Sequence, residues 1–278
     1  MPALIDLHLH TTASDGLLAP AALVDRAGAA GLTIIAITDH DTVGGLAEAV
    51  DAGRTRAVRV IAGIEITAIE DGSDLHVLGY FVDPDSPNLA TFLREQRADR
   101  TRRVREMGER LRSIGMPVDV DALIREADAG TRSIGRPAIA DALVASGQAN
   151  DRTDAFDRLL GRGKPGFVPR RGTPAAAVVA TIHAAGGIAS LAHPGVTSSD
   201  ALIERLAGQG LDAIEVWHSD HAPDQQRHYG TLADRLGLAK SGGSDFHGDG
   251  VHRAARLGGV LLPEPEFRRL EAAAEKRR

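Results

Sequence analysis

The chain has 278 residues, of which 43% are hydrophobic and 25% are charged, and it contains no cysteine. This composition predicts one large globular domain, or one domain with an insertion, and excludes disulfides, cysteine-based zinc sites and thiol nucleophiles. The net charge of -6 argues against a broad surface for duplex DNA, and no stretch approaches the ~20 apolar residues of a membrane helix. We therefore expect a cytoplasmic protein that binds neither duplex DNA nor a membrane.

Strands and helices alternate along the first part of the chain. Apolar, β-branched runs predict four strands, at residues 4–10, 32–40, 58–68 and 74–82. Helical spacing predicts two helices between them, at residues 20–30 and 43–52. Asp71 and Gly72 separate the third and fourth strands and are typical of a hairpin or another tight connection.

Residues 89–164 contain no strand pattern and show helical spacing instead. Apolar residues recur at the spacing of one helix face, at Val104, Met107, Leu111 and Ile114. Shorter helices are predicted at residues 119–127, 137–146 and 153–160. We interpret residues 97–166 as a helical insertion domain within a barrel formed by residues 1–96 and 167–278.

The alternation resumes after the helical segment. Strands are predicted at residues 187–193, 211–218, 238–247 and 257–262. Helices are predicted at residues 174–185, 199–209 and 223–236, with a further helix at the end of the chain. This rhythm is the signature of a parallel α/β fold, and at this length a closed or distorted (β/α) barrel is favoured over an open sheet.

Ionisable side chains stand at the downstream ends of the predicted strands. The set is His8, His10, His40, Glu65, His76, His193, His218, Asp245 and His247. His8 and His10 point to one side because strand faces alternate with period two. The carboxyl ends of barrel strands meet at one mouth, so we expect a metal cluster there, of a composition that suits Zn, Mn or Fe. We interpret the remaining histidines as structural, namely His183, His228 and His252.

Six short motifs occur in a fixed order along the chain: DLHLHTTASDG, AITDHDT, GIEIT, HVLGY, AHPG and GSDFHG. In sequence and order they resemble the motifs of the PHP (polymerase and histidinol phosphatase) family of metal-dependent phosphoesterases. The resemblance covers the whole chain apart from the helical insertion. It implies a distorted (β/α)7 barrel of PHP type and favours the branch of nucleoside 3',5'-bisphosphate phosphatases and 5'-to-3' exoribonucleases.

The resemblance also implies three divalent metal ions, either Mn, Zn or Fe. The first would be held by His8, His10 and Asp245. Glu65 would bridge it to the second, which is completed by His76 and His193. The third would be held by Asp15, His40 and His247. Asp39 and Asp41 are candidates to hydrogen-bond the ligand imidazoles, with a helix N-cap as the alternative for Asp41.

Water is the expected nucleophile, because the sequence has no GxSxG motif, no phosphate-binding P-loop motif and no cysteine. Clustered divalent ions lower the pKa of bound water from 15.7 toward about 7 and bind phosphate oxygens. We therefore expect a metal-activated hydroxide to attack phosphorus, with Glu65 and Asp245 as catalytic residues. The resemblance favours His221 as a further catalytic group that protonates the leaving oxygen or contacts the phosphate.

Basic residues near the insertion are candidates for substrate binding. They are Arg136, Lys164 and Arg170, and His218 and His221 are further candidates. Residues 94–115 carry eight arginines and four acidic residues, which would suit either the 5' end of an RNA or an ordinary solvated helix face. Phe92 is the only aromatic residue nearby, which favours small nucleotides over long RNA. The expected reaction is removal of the 3'-phosphate from nucleoside 3',5'-bisphosphates, with short single-stranded RNA as a second substrate.

Three alternatives stay open at this point. An amidohydrolase-type C–N hydrolase also begins its barrel with HxH, but its frequent bridging lysine has no counterpart in the first 163 residues, where Glu65 stands instead. A histidinol-phosphate phosphatase would keep the family and change the substrate. A non-catalytic PHP module is disfavoured because all nine ligand positions are filled.

Overall fold

The computed structural model describes residues 3–129, 132–250 and 255–277. Within these ranges seven strands form one sheet in chain order. They are β1 (Ile5–Leu9), β2 (Ile34–Ile37), β3 (Arg59–Glu70), β4 (Ser73–Tyr80), β5 (Ile188–Leu191), β6 (Ala213–Trp217) and β7 (Ala239–Gly242). The sheet curves into a nearly closed barrel, because Leu9 at the end of β1 bridges Phe246 beyond β7. The predicted α/β class and the distorted seven-stranded barrel are confirmed.

The tight turn at Asp71 and Gly72 reverses the direction of β4. Both turn residues have positive φ, 49° and 72°, as the two-residue turns of hairpins require. As a result β4 pairs antiparallel with β3 and with β5, and the other neighbouring strands pair in parallel. The hairpin alternative predicted at Asp71 and Gly72 is therefore confirmed, and the expected parallel sheet contains one antiparallel strand, β4. His76 lies near the start of β4 and not at its downstream end. Because β4 runs in the opposite direction, its start lies at the same mouth as the downstream ends of the neighbouring strands.

Helices cover the outside of the barrel and form most of the segment between β4 and β5. They are α1 (Pro20–Ala29), α2 (Leu46–Arg56), α3 (Pro87–Ser113), α4 (Val120–Ala129), α5 (Arg136–Ala145), α6 (Arg152–Ala155), α7 (Ala175–Ala184), α8 (Pro194–Thr197), α9 (Asp200–Gly208), α10 (Pro223–Leu236) and α11 (Glu264–Glu275). A π-helical turn (Phe156–Leu160) continues α6. None of the helices in the described ranges combines the length and the apolarity needed to cross a bilayer.

The segment predicted as a strand at residues 257–262 consists of turns and irregular backbone. Gly258 adopts a φ of 68°, which lies outside the strand region and interrupts an extended run. The segment instead leads into α11, and the Leu262 N–H donates to the Ile5 carbonyl at 2.9 Å. The prediction of an eighth strand is therefore wrong.

The long helix α3 joins two hydrophobic cores. Leu89 and Leu93 in its first half pack in the core between the barrel and its covering helices. Met107 and Leu111 in its second half pack in a separate core formed with α4, α5 and the π-helical turn. Ile114 does not share this face, since it follows the last helical residue and is 45% exposed. The point where α3 passes from one core to the other lies near the predicted domain boundary at residue 97. The boundary itself stays a prediction.

Closure of the barrel depends on a close approach at Gly243. A Cβ atom at this position would lie 2.3 Å from the backbone nitrogen of His8 and 2.9 Å from Oδ1 of Asp6. We expect Gly243→Ala to lower the free energy of unfolding by about 1–3 kcal/mol, because backbone must move to admit the methyl group. Chemical denaturation would measure this loss.

Gly208→Ala is the matched control for this change. A Cβ atom at Gly208, the last residue of α9, would meet no atom within 4 Å. We expect this variant to keep its stability or to gain up to about 1 kcal/mol, since alanine favours a helix. Equal stability of the two alanine variants would contradict the close approach at Gly243.

Candidate metal centre

Buried imidazoles and carboxylates meet at the mouth of the barrel, around Glu65. This residue of β3 is 1% exposed, and its two carboxylate oxygens face different neighbours. Five imidazole nitrogens lie 2.8–3.3 Å from these oxygens, from His8, His10, His40, His76 and His193. The carboxylate of Glu65 therefore lies beside side chains that come from four other segments of the chain, because His8 and His10 share the first strand and its end.

The first group of candidate ligands combines Glu65 with His8, His10 and Asp245. One ligand atom from each of the four lies within 4.8 Å of the others. Oδ1 of Asp245 is 3.3 Å from Nε2 of His8 and 3.2 Å from Nε2 of His10. His8 and His10 lie on one side of the chain, as strand alternation predicts.

A second group combines Asp15 with His10, His40 and His247, again within 4.8 Å. Nε2 of His247 lies 3.3 Å from Oδ1 of Asp15, and Nε2 of His40 lies 3.8 Å from Oδ2 of Asp15. Nδ1 of His10 is 3.8 Å from Asp15, whereas its Nε2 faces the first group. The ring of His10 therefore lies between the two groups.

A third group consists of His40, Glu65 and His76. The resemblance implies His193 as the partner of Glu65 and His76 in place of His40. His193 is close, with Nε2 3.2 Å from Oε1 of Glu65, but within the described residues it does not complete this tight group. Its assignment as a ligand stays a prediction.

Asp245 and His247 do not lie on a strand, because β7 ends at Gly242. Asp245 has a φ of 56°, a left-handed conformation that non-glycine residues adopt mainly where the surroundings enforce it. Asp6 holds the preceding residue, since it accepts hydrogen bonds from the Ser244 backbone at 2.8 Å and hydroxyl at 2.6 Å. This constraint places the carboxylate of Asp245 beside His8 and His10.

The centre keeps its carboxylates ionised. Burial alone would raise the pKa of Glu65, but His40, His76 and His8 hold it well below its usual range. Burial alone would lower the pKa of His10, but Asp245 and Glu65 raise it to about 10. In contrast, burial lowers the pKa of His40 to about 3. The buried carboxylates thus require positive charge nearby, which either imidazolium groups or divalent cations can supply.

The residues at the mouth fit divalent metal ions. Several buried atoms of these side chains lack a hydrogen-bond partner among the described residues: both ring nitrogens of His10, Oδ1 of Asp15, and Nδ1 of His40, His76 and His193. Buried polar atoms rarely stay without a partner unless another group binds them. Imidazole and carboxylate together are the donor set of first-row divalent ions, and cysteine plays no part.

Glu215 belongs to the centre and was missed by the sequence analysis. It lies fully buried in β6, where a charged residue interrupts an otherwise apolar strand, and this interruption is the signal that could have revealed it. Its Oε1 accepts a hydrogen bond from Nδ1 of His8 at 2.9 Å, and its Oε2 accepts from the His193 N–H at 2.8 Å. Glu215 therefore orients His8 so that Nε2 faces Glu65.

Among the described residues, Asp39 and Asp41 bond to groups other than the imidazoles, contrary to expectation. Asp39 accepts from the backbone of Thr11 at 2.8 Å and from the Ser14 hydroxyl at 2.6 Å, and so orders the loop that leads to Asp15. Asp41 accepts from Nε of Arg100 at 2.6 Å. The N-cap alternative for Asp41 is also wrong, because α2 begins after Gly45.

The two histidines after β6 differ in their surroundings. Nε2 of His218 lies 3.4 Å from Oδ2 of Asp245, so its ring faces the centre. Both ring nitrogens of His221 bond to backbone: Nδ1 donates to the Val216 carbonyl at 2.9 Å, and Nε2 accepts from the Gly195 N–H at 3.1 Å. This arrangement leaves His221 without a free nitrogen for phosphate, and its catalytic role stays a prediction.

The remaining histidines form pairs away from the centre. His183 bonds to Asp212 at 2.7 Å, and His228 bonds to Asp200 at 2.9 Å. Both carry the structural role expected of them. His252 lies outside the described residues.

Four arginines collect beside His40 and His76, and we call them the arginine cluster: Arg100, Arg103, Arg136 and Arg170. Two carboxylates, Asp41 and Asp74, lie among them. The structure thus brings the predicted residues Arg136 and Arg170 together. It does not bring Lys164 to them, since Lys164 is exposed in a turn and, within the described ranges, forms no ion pair.

Comparisons with known proteins show the family of the chain. Residues 6–117 match the PHP domain family. The chain is 39% identical to a 3',5'-nucleoside bisphosphate phosphatase of Chromobacterium violaceum over 88% of each chain, and 36% identical to a 5'-3' exoribonuclease of Haemophilus influenzae over 87% of this chain and 89% of that one. A crystal structure from Bifidobacterium adolescentis, described as a metal-dependent phosphoesterase, matches with a TM-score of 0.89 at 34% identity, covering 98% of this chain and 97% of the other. The chain therefore belongs to the PHP family of metal-dependent phosphoesterases.

Proposed function

We propose that this protein removes the 3'-phosphate from nucleoside 3',5'-bisphosphates. The observation that carries the proposal is the shared carboxylate of Glu65, surrounded by five imidazoles, with a cluster of arginines directly beside it. A phosphate monoester needs cations at the reacting phosphorus, and a second phosphate needs a separate basic subsite. The names of the relatives support this substrate class.

The centre would hold three divalent ions, as Mn, Zn or Fe. The first would be bound by His8, His10, Glu65 and Asp245. The second would be bound by Glu65, His76 and His193. The third would be bound by Asp15, His40 and His247. When bound, such ions lower the pKa of water and neutralise phosphate oxygens.

The protein's own residues supply orientation and charge. Glu215 keeps Nε2 of His8 directed at Glu65. Its own carboxylate also accepts a hydrogen bond from the His193 backbone N–H. Asp6 and Ser244 hold the left-handed turn that carries Asp245. These buried bonds arrange the ligand atoms before any substrate arrives, which reduces the reorganisation that the reaction requires.

Asp15→Asn and Asp245→Asn should each remove a different ion, because the two carboxylates belong to different ligand groups. We therefore expect elemental analysis of the double variant to show the sum of the two single losses. His10→Ala should reduce binding in both groups, since its two ring nitrogens face one group each. A double variant that loses no more metal than either single variant would contradict the two separate sites.

The arginine cluster would bind the phosphate that is not cleaved. Nε of Arg170 lies 3.5 Å from Asp74 and Nη1 lies 3.6 Å from Asp41, while Nη2 of Arg136 lies 3.5 Å from Asp74. Four guanidinium groups thus share two carboxylates. Burial, together with Arg170 and Arg136, lowers the pKa of Arg103 to about 9, and an anion would relieve this excess of positive charge. A small cavity of about 310 Å³ lies beside the cluster, lined by Asp74, Arg136, Arg162 and Phe167.

Short single-stranded RNA is the second candidate substrate, favoured by the exoribonuclease relative and by the arginines of α3. Arg102 is occupied within the helix, because it pairs with Asp99 at 2.5 Å and with Glu106 at 2.6 Å. Such pairs are typical of an ordinary helix face and favour small nucleotides as substrates over RNA.

A cytoplasmic location and the absence of duplex DNA or membrane binding stay predictions.

Product release from three substrates tests the proposal. The substrates are adenosine 3',5'-bisphosphate, a short 5'-phosphorylated RNA and histidinol phosphate, each with added Mn and after chelation. The product measured is inorganic phosphate for the bisphosphate and for histidinol phosphate, and nucleoside 5'-monophosphate for the RNA, because an exoribonuclease cleaves phosphodiester bonds. We expect release from the bisphosphate that depends on metal and exceeds release from histidinol phosphate. Faster turnover of histidinol phosphate would support that alternative, and release from none would support a non-catalytic module.

A further inference from the structure

A cavity of about 400 Å³ separates the Asp15 group from the helices of the insertion. Asp15 and His40 line its inner end, so it opens directly onto the candidate metal centre. Its apolar lining comes from Leu17, Leu123, Ala127, Ala138, Ala142 and Ala145, and we call it the alanine-lined cavity. The phosphoryl chemistry described above does not require this space.

Each arginine that lines the alanine-lined cavity lies near a carboxylate, although the buried Nε of Arg132 has no hydrogen-bond partner among the described residues. Arg152 pairs with Asp141 at 2.5 Å, and Arg132 lies 3.5 Å from Glu126. Arg100 is bound to Asp41 behind the wall. This balance contrasts with the arginine cluster, where guanidinium groups outnumber carboxylates. The alanine-lined cavity is therefore suited to an uncharged group and not to a second phosphate.

The hydroxyl of Ser133 is a neutral polar group of the wall that has no hydrogen-bond partner among the described residues, and Ser133 is 5% exposed. The other unpartnered atoms of the lining belong to ionisable side chains: Oδ1 of Asp15, Nδ1 of His40 and Nε of Arg132. The backbone N–H of Ser133 donates to the Ala13 carbonyl at 2.9 Å, which holds the residue against the loop that leads to Asp15. A buried hydroxyl costs free energy when unpaired, so this oxygen is poised for a ligand that carries a donor or an acceptor.

We propose that the alanine-lined cavity binds the nucleobase of the substrate, with the Ser133 hydroxyl bonded to the edge of the base. This inference rests on the proposed function and names the part of the substrate that the cavity recognises. The small side chains of Ala138 and Ala142 leave room for a flat ring, and Leu17, which is 52% exposed, can pack on it from the other side. The base and the uncleaved phosphate would then occupy separate subsites on either side of Arg100.

Calorimetric titration of the metal-loaded protein with adenosine 5'-monophosphate and with ribose 5-phosphate tests this proposal. Ala142→Leu should weaken binding of the nucleotide by at least about tenfold, since the larger side chain fills the space for the ring. Binding of ribose 5-phosphate, which has no base, should change by less than about twofold. Ala90→Leu, on the exposed side of α3, is the size-matched control and should bind both ligands like the unaltered protein.

Ser133→Ala tests the polar contact with almost no change of shape. We expect it to weaken binding of the nucleotide by about three- to tenfold, the usual worth of one hydrogen bond, and to leave ribose 5-phosphate unaffected. This variant keeps the proposal falsifiable if leucine at position 142 prevents folding.

Two results would overturn the base-binding proposal. One is an unaltered protein that binds the nucleotide no more tightly than ribose 5-phosphate. The other is an equal loss for both ligands in the variants, which would place the ribose or the phosphate in the cavity. Because the titration requires no turnover, a base-dependent loss of binding in a protein that releases no phosphate would refute the proposed function alone.

Discussion

Glu65→Gln should abolish most phosphoesterase activity and remove at least one metal ion. Glutamine keeps the shape of the side chain but replaces a negative oxygen with an amide NH2, which would face imidazoles that now face a carboxylate. Loss of a residue that only orients a ligand typically costs about 10- to 100-fold. We therefore expect loss of this shared carboxylate to cost more than about 100-fold in kcat/KM.

Glu70→Gln is the matched control on the same strand. Glu70 ends β3, points away from the centre and pairs with Arg205 at 2.5 Å. We expect its activity to stay within about twofold of the unaltered protein, because a partly exposed ion pair contributes little. Elemental analysis and steady-state kinetics on both variants give the comparison. Full metal content with unchanged turnover in Glu65→Gln would refute the role of Glu65.

Arg100→Met should lower the free energy of unfolding by about 3–5 kcal/mol, because it leaves a buried carboxylate without its main partner. Arg100 and Asp41 are 6% and 0% exposed, and they join α3 to the loop after β2 at 2.6 Å. Burial alone would raise the pKa of Asp41, but Arg100 and Arg170 hold it below its usual value. Urea denaturation would measure the loss of stability.

Two variants separate this charge effect from a general effect of the substitution. Arg105→Met, on the exposed side of α3, should cost less than about 1 kcal/mol, because Arg105 is 58% exposed and 3.8 Å from Asp121. Adding Asp41→Asn to Arg100→Met should restore part of the stability, since the buried charge is then gone. A double variant less stable than Arg100→Met would show that the loss has another cause.

Part of the candidate ligand set could be predicted from local patterns in the sequence. His8 and His10 share a face through strand alternation, His40 follows the buried strand β2, and Glu65 lies within β3, and the sequence marks both strands by apolar, β-branched runs. The pair Asp71 and Gly72 indicated a hairpin, which makes β4 antiparallel to β3, whereas His76 was predicted at the downstream end of its strand. The position of His76 at the mouth was therefore predicted for the wrong reason.

The supporting residues depend on contacts that span the chain. Glu215 meets His8 across 207 positions, and Arg100 meets Asp41 across 59. A partial signal existed on α3, because Arg100 and Arg103 continue the buried stripe of Leu93, Gln96 and Met107 at helical spacing. Composition alone does not separate these two buried arginines from the exposed ones on the same helix.

Phosphate release from adenosine 3',5'-bisphosphate, before and after removal of metal, tests the central claim most directly. The claim is that the imidazoles and carboxylates around Glu65 form a metal centre for phosphate-ester hydrolysis. We expect protein stripped by chelation to release no phosphate, and added Mn to restore release in proportion to the metal bound. Release that survives complete removal of metal, or a fully loaded protein that releases none, would contradict the claim.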